Sequence, residues 1–199
     1  MKQIPFLLIY FRFLLAIVIP FLAFFQPRYY ASIIAVFLIT GILTDIFDGI
    51  IARKLNISTR KLRVLDSNVD QFFWIIAIIS IFYVELDVIK PVVFQIGVLI
   101  ILEAVAYLAS YIKFKKPIAT HSLLAKFWTL TLLAFLIDLI LNAENRLFQL
   151  CFWIGVVSRL EIILIILKLK KWTTDVPSIF SVSKLNKGLT VKKNKIFNG

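Results

Sequence analysis

The sequence predicts an all-α, polytopic membrane protein with six transmembrane helices. Three observations carry this reading. The 199 residues are 61% hydrophobic and only 17% charged, with a mean hydropathy of +0.94, far from ordinary soluble composition. Six apolar stretches each approach the roughly 20 residues that cross a bilayer as a helix. Lysine and arginine fall unevenly on the connections between those stretches.

Span 1, Pro5–Phe25, carries Arg12 in its apolar run. It is long enough to span, and no small-residue cleavage site follows it, so it reads as a span and not as a removable signal. Span 2, Ala31–Ile51, ends in an acidic turn, and a basic loop from Lys54 to Leu65 follows. Span 3, Asp66–Leu86, opens with two further aspartates. Lys90-Pro91 starts span 4, Pro91–Ile112, because proline fits the first turn of a helix. A loop containing His121 and Ser122 leads to span 5, Leu123–Leu141. A tight turn, Ala143 to Arg146, leads to span 6, Leu147–Leu167. The expectation is one six-span membrane domain over residues 1–168 and a basic tail over 169–199. The end of the tail, Val191 to Gly199, is expected to be disordered. The one cysteine, Cys151, lies in span 6, so no intrachain disulfide forms and packing is its expected role.

Charge sets the orientation. Of 23 basic residues, 18 fall on one side of the proposed membrane and three, Arg28, Lys90 and Arg146, on the other. The positive-inside rule then puts both termini and the loop after span 2 in the cytoplasm. The expected location is the cell (plasma or inner) membrane, with the acidic turn facing the cytoplasm. A net charge of +12 distributed this way suits anionic lipid headgroups, not nucleic acid.

Acid is scarce: 11 Asp and Glu in the chain, four of them as Asp45-x2-Asp48 and Asp66-x3-Asp70. Residues three or four apart share a helix face. Each pair therefore points one way, and the loop between spans 2 and 3 returns both pairs to one depth. Two carboxylates about 5 Å apart repel by roughly 3 kcal/mol at an effective dielectric of about 20. Such a cluster calls for cations. Carboxylates without histidine or thiolate are hard oxygen ligands, suited to Mg²⁺ or Mn²⁺. Two such ions would clamp a displacement at phosphorus. Gly49 permits close approach of a ligand, Arg53 offers a forked donor to phosphate, and Thr59 adds a hydroxyl.

These residues resemble the signature of the CDP-alcohol phosphotransferase family, D-x2-D-G-x2-A-R-x8-G-x3-D-x3-D. Asp45, Asp48, Gly49, Ala52, Arg53, Asp66 and Asp70 match with every gap preserved, and Leu62 stands where the family has glycine. The resemblance implies a six-span transferase of phospholipid synthesis. It implies that Asp45, Asp48, Asp66 and Asp70 hold two divalent ions, and that Gly49, Arg53 and Thr59 line the site of a CDP-linked lipid such as CDP-diacylglycerol. It implies that Asp70 takes the proton of an acceptor hydroxyl and that CMP leaves. It also implies a homodimer. Family members often begin span 1 with P-N-x-L-T-x2-R; here Phe6 and Ile9 replace the polar Asn and Thr, while Arg12 is retained. A family stretch Gly-Lys-x-Lys-Thr reads Ala125-Lys126-Phe127-Trp128-Thr129 here, so one lysine has become tryptophan.

Lys126 and His121, near the cytoplasmic end of span 5, could bind an acceptor phosphate, or be a snorkelling lysine and a loop histidine. Arg159 and Glu161 in span 6 could contact substrate or pair structurally, for instance with Glu103. The first expectation for the acceptor is glycerol 3-phosphate, with phosphatidylglycerol, an inositol phosphate and serine left open. Two rival readings remain: a cation-binding membrane transporter subunit, and a family member that keeps the helices as a scaffold without turnover.

Overall fold

Inside a bilayer no water satisfies backbone N–H and C=O groups, so each crossing segment must pair them internally. The chain does so as helix. The computed structural model describes residues 3–55, 57, 59–116, 118, 122–173 and 176–189, and only the backbone of Arg53, Arg60, Lys61 and Arg63. Eight α-helices occur among these residues: α1 Ile4–Phe25, α2 Tyr30–Lys54, α3 Arg60–Val84, α4 Leu86–Ile89, α5 Val93–Phe114, α6 Leu123–Asn142, α7 Phe148–Lys168 and α8 Val182–Asn186. No strand occurs among the described residues. Six segments are long and apolar enough to cross a membrane, the fourth being Leu86–Phe114, which combines α4, a 3-10 turn and α5.

Three boundaries differ from the sequence expectation. Helix α2 continues to Lys54 and α3 already begins at Arg60, so the predicted 12-residue basic loop shrinks to residues 55–59. Basic residues are good helix formers, and Thr59 caps the new start by accepting the Leu62 N–H at 3.2 Å. Asp66 and Asp70 therefore lie within α3 and not at its first turn. Span 4 is preceded by the short helix α4 and a 3-10 turn at Lys90–Val92. The predicted disordered end, 191–199, lies outside the described residues.

The helices fall into two units: Met1–Ile89 with Leu136–Asn145, and Lys90–Phe135 with Arg146–Gly199. In the first, α1 packs on α3 and α2. Its buried positions, Pro5, Ile9, Arg12, Leu15, Ala16, Ile19 and Ala23, recur at helical spacing, so Arg12 sits in the middle of an otherwise apolar stripe. Helix α2 buries Ile34, Leu38, Gly41, Thr44, Asp48 and Ala52 along a similar stripe. Helix α3 answers with Leu62, Val69, Phe73 and Ala77. A Cβ on Gly41 would lie 2.6 Å from Phe73 Cε1, so glycine is what admits the fully buried Phe73 ring against α2.

In the second unit α5 packs on α7. Ala106, Ile162 and Ile166 form one apolar cluster, and Ile165, Leu169, Val176 and Val182 another. Part of the tail thus packs back on α7. The Asn186 side chain fastens it, donating to Lys168 O at 2.9 Å and accepting the Lys170 N–H at 2.9 Å.

Large apolar side chains dominate the remaining helix surface, among them Phe25, Phe94 and Ile112, each at least 70% exposed. Water would penalise such a surface by about 25 cal/mol per Å². Lipid tails remove that cost, which makes the fold reasonable only within a membrane.

Candidate active site

Four aspartates from two helices surround one arginine from a third. Arg12 Nη1 lies 3.1 Å from Asp45 Oδ1, 3.2 Å from Asp66 Oδ1 and 3.7 Å from Asp70 Oδ1, while Nη2 pairs with Asp48 Oδ2. The Arg12 Nε–H reaches Thr44 Oγ1 at 3.5 Å, and the Thr44 hydroxyl donates to Gly41 O at 2.8 Å. The spacing in α2 and α3 explains the convergence: three- and four-residue steps keep each aspartate pair on the face that meets α1.

Burial divides the carboxylates. The Asp48 side chain is 4% exposed, whereas those of Asp45, Asp66 and Asp70 are 31–38% exposed. Asp48 thus lies deepest, beside Arg12, and the other three are partly open at the surface. Asp45, Asp48 and Asp66 each place one ligand atom within 4.8 Å of the others, close enough to share a metal ion. Asp70 stands beside this trio, one turn along α3 from Asp66 and 3.7 Å from Arg12 Nη1. A set of hard oxygen donors at this separation fits Mg²⁺ or Mn²⁺.

Gly49 follows Asp48 in α2 and is half-buried. Thr59 is exposed, and its hydroxyl caps α3. The Arg53 side chain and His121 lie outside the described residues. Leu62, at the position of the signature glycine, turns into the protein. It is 4% exposed and clusters with Ile9, Ala52 and Val69, and partly buried Ile57 and Leu65 complete the group. Ile9 is itself the residue that replaces the threonine of the span 1 pattern. The two departures therefore occupy one apolar cluster, which absorbs the bulk that Leu62 adds.

One contributor was not singled out from sequence, and the part played by another was not read. Thr44 precedes Asp45 and shares the buried stripe of α2 with Asp48, a signal visible only once the inward face is known. Arg12 was noted only as the retained arginine of the span 1 pattern; in the structure it pairs with all four aspartates.

In the second unit Arg159 pairs with Glu103, and the Trp128 ring centroid lies 3.9 Å from the Arg159 guanidinium carbon. Gly155 makes room for this ring: a Cβ there would lie 2.5 Å from Trp128 Nε1. Lys126 is exposed on the first turn of α6. The Glu161 carboxylate accepts the Ile179 N–H at 3.2 Å, holding the tail.

The family model described as CDP-alcohol phosphatidyltransferase matches residues 2–161. No curated protein and no solved structure matches the chain.

Proposed function

This chain belongs to the CDP-alcohol phosphatidyltransferase family, and we propose that it transfers a phosphatidyl group from CDP-diacylglycerol to an alcohol, releasing CMP. The observation that carries this reading is the meeting of Asp45, Asp48 and Asp66 within 4.8 Å, with Asp70 beside them, at the spacing of the family signature.

Asp45, Asp48, Asp66 and Asp70 would hold two Mg²⁺ or Mn²⁺ ions. Bound divalent ions would supply charge neutralisation for the pyrophosphate and for the departing CMP. Asp70 accepts the proton of the acceptor hydroxyl. The acceptor oxygen forms a bond to the phosphorus that carries diacylglycerol. The bond from that phosphorus to the bridging oxygen breaks, and CMP leaves with the electron pair. Aspartate is a weak base, so positioning of the two reactants contributes most of the rate. Gly49, Arg53 and Thr59 line the nucleotide and phosphate side. Their place beside the aspartates in sequence, with Arg53 as a forked phosphate donor, supports that assignment.

For the acceptor, glycerol 3-phosphate is the first choice, bound by Lys126, Arg159 and His121. The basic residues near Lys126 support it. Arg159 already pairs with Glu103, so an acceptor phosphate there would share it with that carboxylate. The excess of lysine and arginine on one side supports cytoplasmic termini and an active site that opens to the cytoplasm of a plasma or inner membrane. The enzyme works as a homodimer, as its family commonly does.

The test is incubation of purified protein with labelled CDP-diacylglycerol, Mn²⁺ and a panel of alcohols that includes glycerol 3-phosphate. CMP release with one acceptor, lost in Asp70→Asn, is expected. No release with any acceptor would sink the proposal and favour a scaffold.

A further inference from the structure

The Arg12 guanidinium pairs with the same carboxylates that a divalent ion would use. Asp45, Asp48 and Asp66, whose ligand atoms gather within 4.8 Å, each give an oxygen to it. Asp70 Oδ1 lies 3.7 Å from the same Nη1. Arg12 is fully buried, and α1 contributes no acidic residue of its own. Arginine keeps its charge at any pH a protein tolerates, so it cannot release these partners by losing a proton. It can release them only by moving. Four carboxylates attract an added cation strongly, and a fixed positive charge among them opposes it.

We propose that Arg12 is a tethered competitor for the divalent ions, so that metal binding here is an exchange of cations in which the guanidinium gives up one or more aspartates. The proposal rests on reading the aspartates as a divalent-ion site. Its opposite is a purely organising arginine, which holds the carboxylates in place and makes metal binding tighter. The two differ in sign: removing a competitor strengthens metal binding, and removing an organiser weakens it.

The experiment measures Mn²⁺ binding to the purified full-length protein by the paramagnetic resonance of free Mn²⁺. It compares the unaltered chain with Arg12→Gln, Arg12→Lys and Asp66→Asn. Arg12→Gln is expected to bind Mn²⁺ at least tenfold more tightly. Arg12→Lys should lie between, because one ammonium cannot hold four carboxylates at once. Thermal unfolding gives a second readout: in chelator Arg12→Gln should melt below the unaltered chain, and Mn²⁺ should raise its midpoint by more. Equal Mn²⁺ binding in Arg12→Gln would overturn the exchange, and weaker binding would overturn it and make Arg12 an organiser. If Arg12→Gln does not fold in chelator, Arg12→Lys decides by the same criterion. Binding lost in Asp66→Asn but unchanged in both Arg12 variants would overturn the exchange alone. Absence of Mn²⁺ binding in the unaltered chain would overturn the metal site, and the exchange with it.

Discussion

Arg12 on α1 and Asp48 on α2, 36 positions apart, form an ion pair with both side chains buried. Placing an ion pair inside a protein is expensive, and removing one partner strands the other. Asp48→Asn and Asp48→Ala should therefore destabilise the protein by about 3–5 kcal/mol, seen as a lower midpoint in thermal unfolding in detergent. A loss below about 1 kcal/mol would mean that the remaining three aspartates already satisfy Arg12.

Asp70 should behave differently from Asp48. Its side chain is 36% exposed, so Asp70→Asn is expected to leave the unfolding midpoint near that of the unaltered chain. As a general base it contributes about 10²–10⁴-fold. CMP release should fall by that factor. A variant that melts early but keeps its turnover per folded molecule would assign Asp70 to structure.

Chelator should abolish CMP release, and added Mg²⁺ or Mn²⁺ should restore it. Zn²⁺, which prefers nitrogen and sulfur ligands, should restore less. Release that continues in chelator would remove divalent ions from the mechanism.

Restoring the family glycine should harm this protein. Leu62 packs with Ile9, Ala52 and Val69. Large-to-small core changes cost about 2–5 kcal/mol, and glycine within a helix about 1 kcal/mol more. Leu62→Gly should lower the unfolding midpoint and should not raise the rate of CMP release. The combined change with Ile9→Thr should cost less than the sum of the two single changes, because the two side chains share one cluster. Strict additivity would show that they do not support each other.

The pair of Arg159 and Glu103 should show the same logic in the second unit. Glu103→Gln leaves the guanidinium with the Trp128 ring and Ser158, and should destabilise. Pairing it with Arg159→Gln should recover part of the loss, since both charges are then gone. Recovery is read from the thermal midpoint. A double variant worse than Glu103→Gln alone would show that Arg159 has a further partner.

Length, composition and apolar run length determined the all-helical, six-span class, because continuous apolar runs of about 20 residues fit a bilayer as helices, whereas a barrel strand needs only about 10. The spacing of Asp45, Asp48, Asp66 and Asp70 determined that each pair shares a face, since helical periodicity is local. Helix ends were less legible: basic residues before Asp66 read as a loop, yet good helix propensity and the Thr59 cap extend α3 back to Arg60. Only tertiary structure decided what stands among the carboxylates. An arginine in an apolar run could face lipid headgroups, a partner helix or a ligand, and its partners lie 32 to 58 positions away. Likewise, sequence marked Leu62 and Ile9 as separate departures, and packing alone made them one apolar cluster. Local periodicity tells which residues share a helix face; the packing of the helices decides which face meets which.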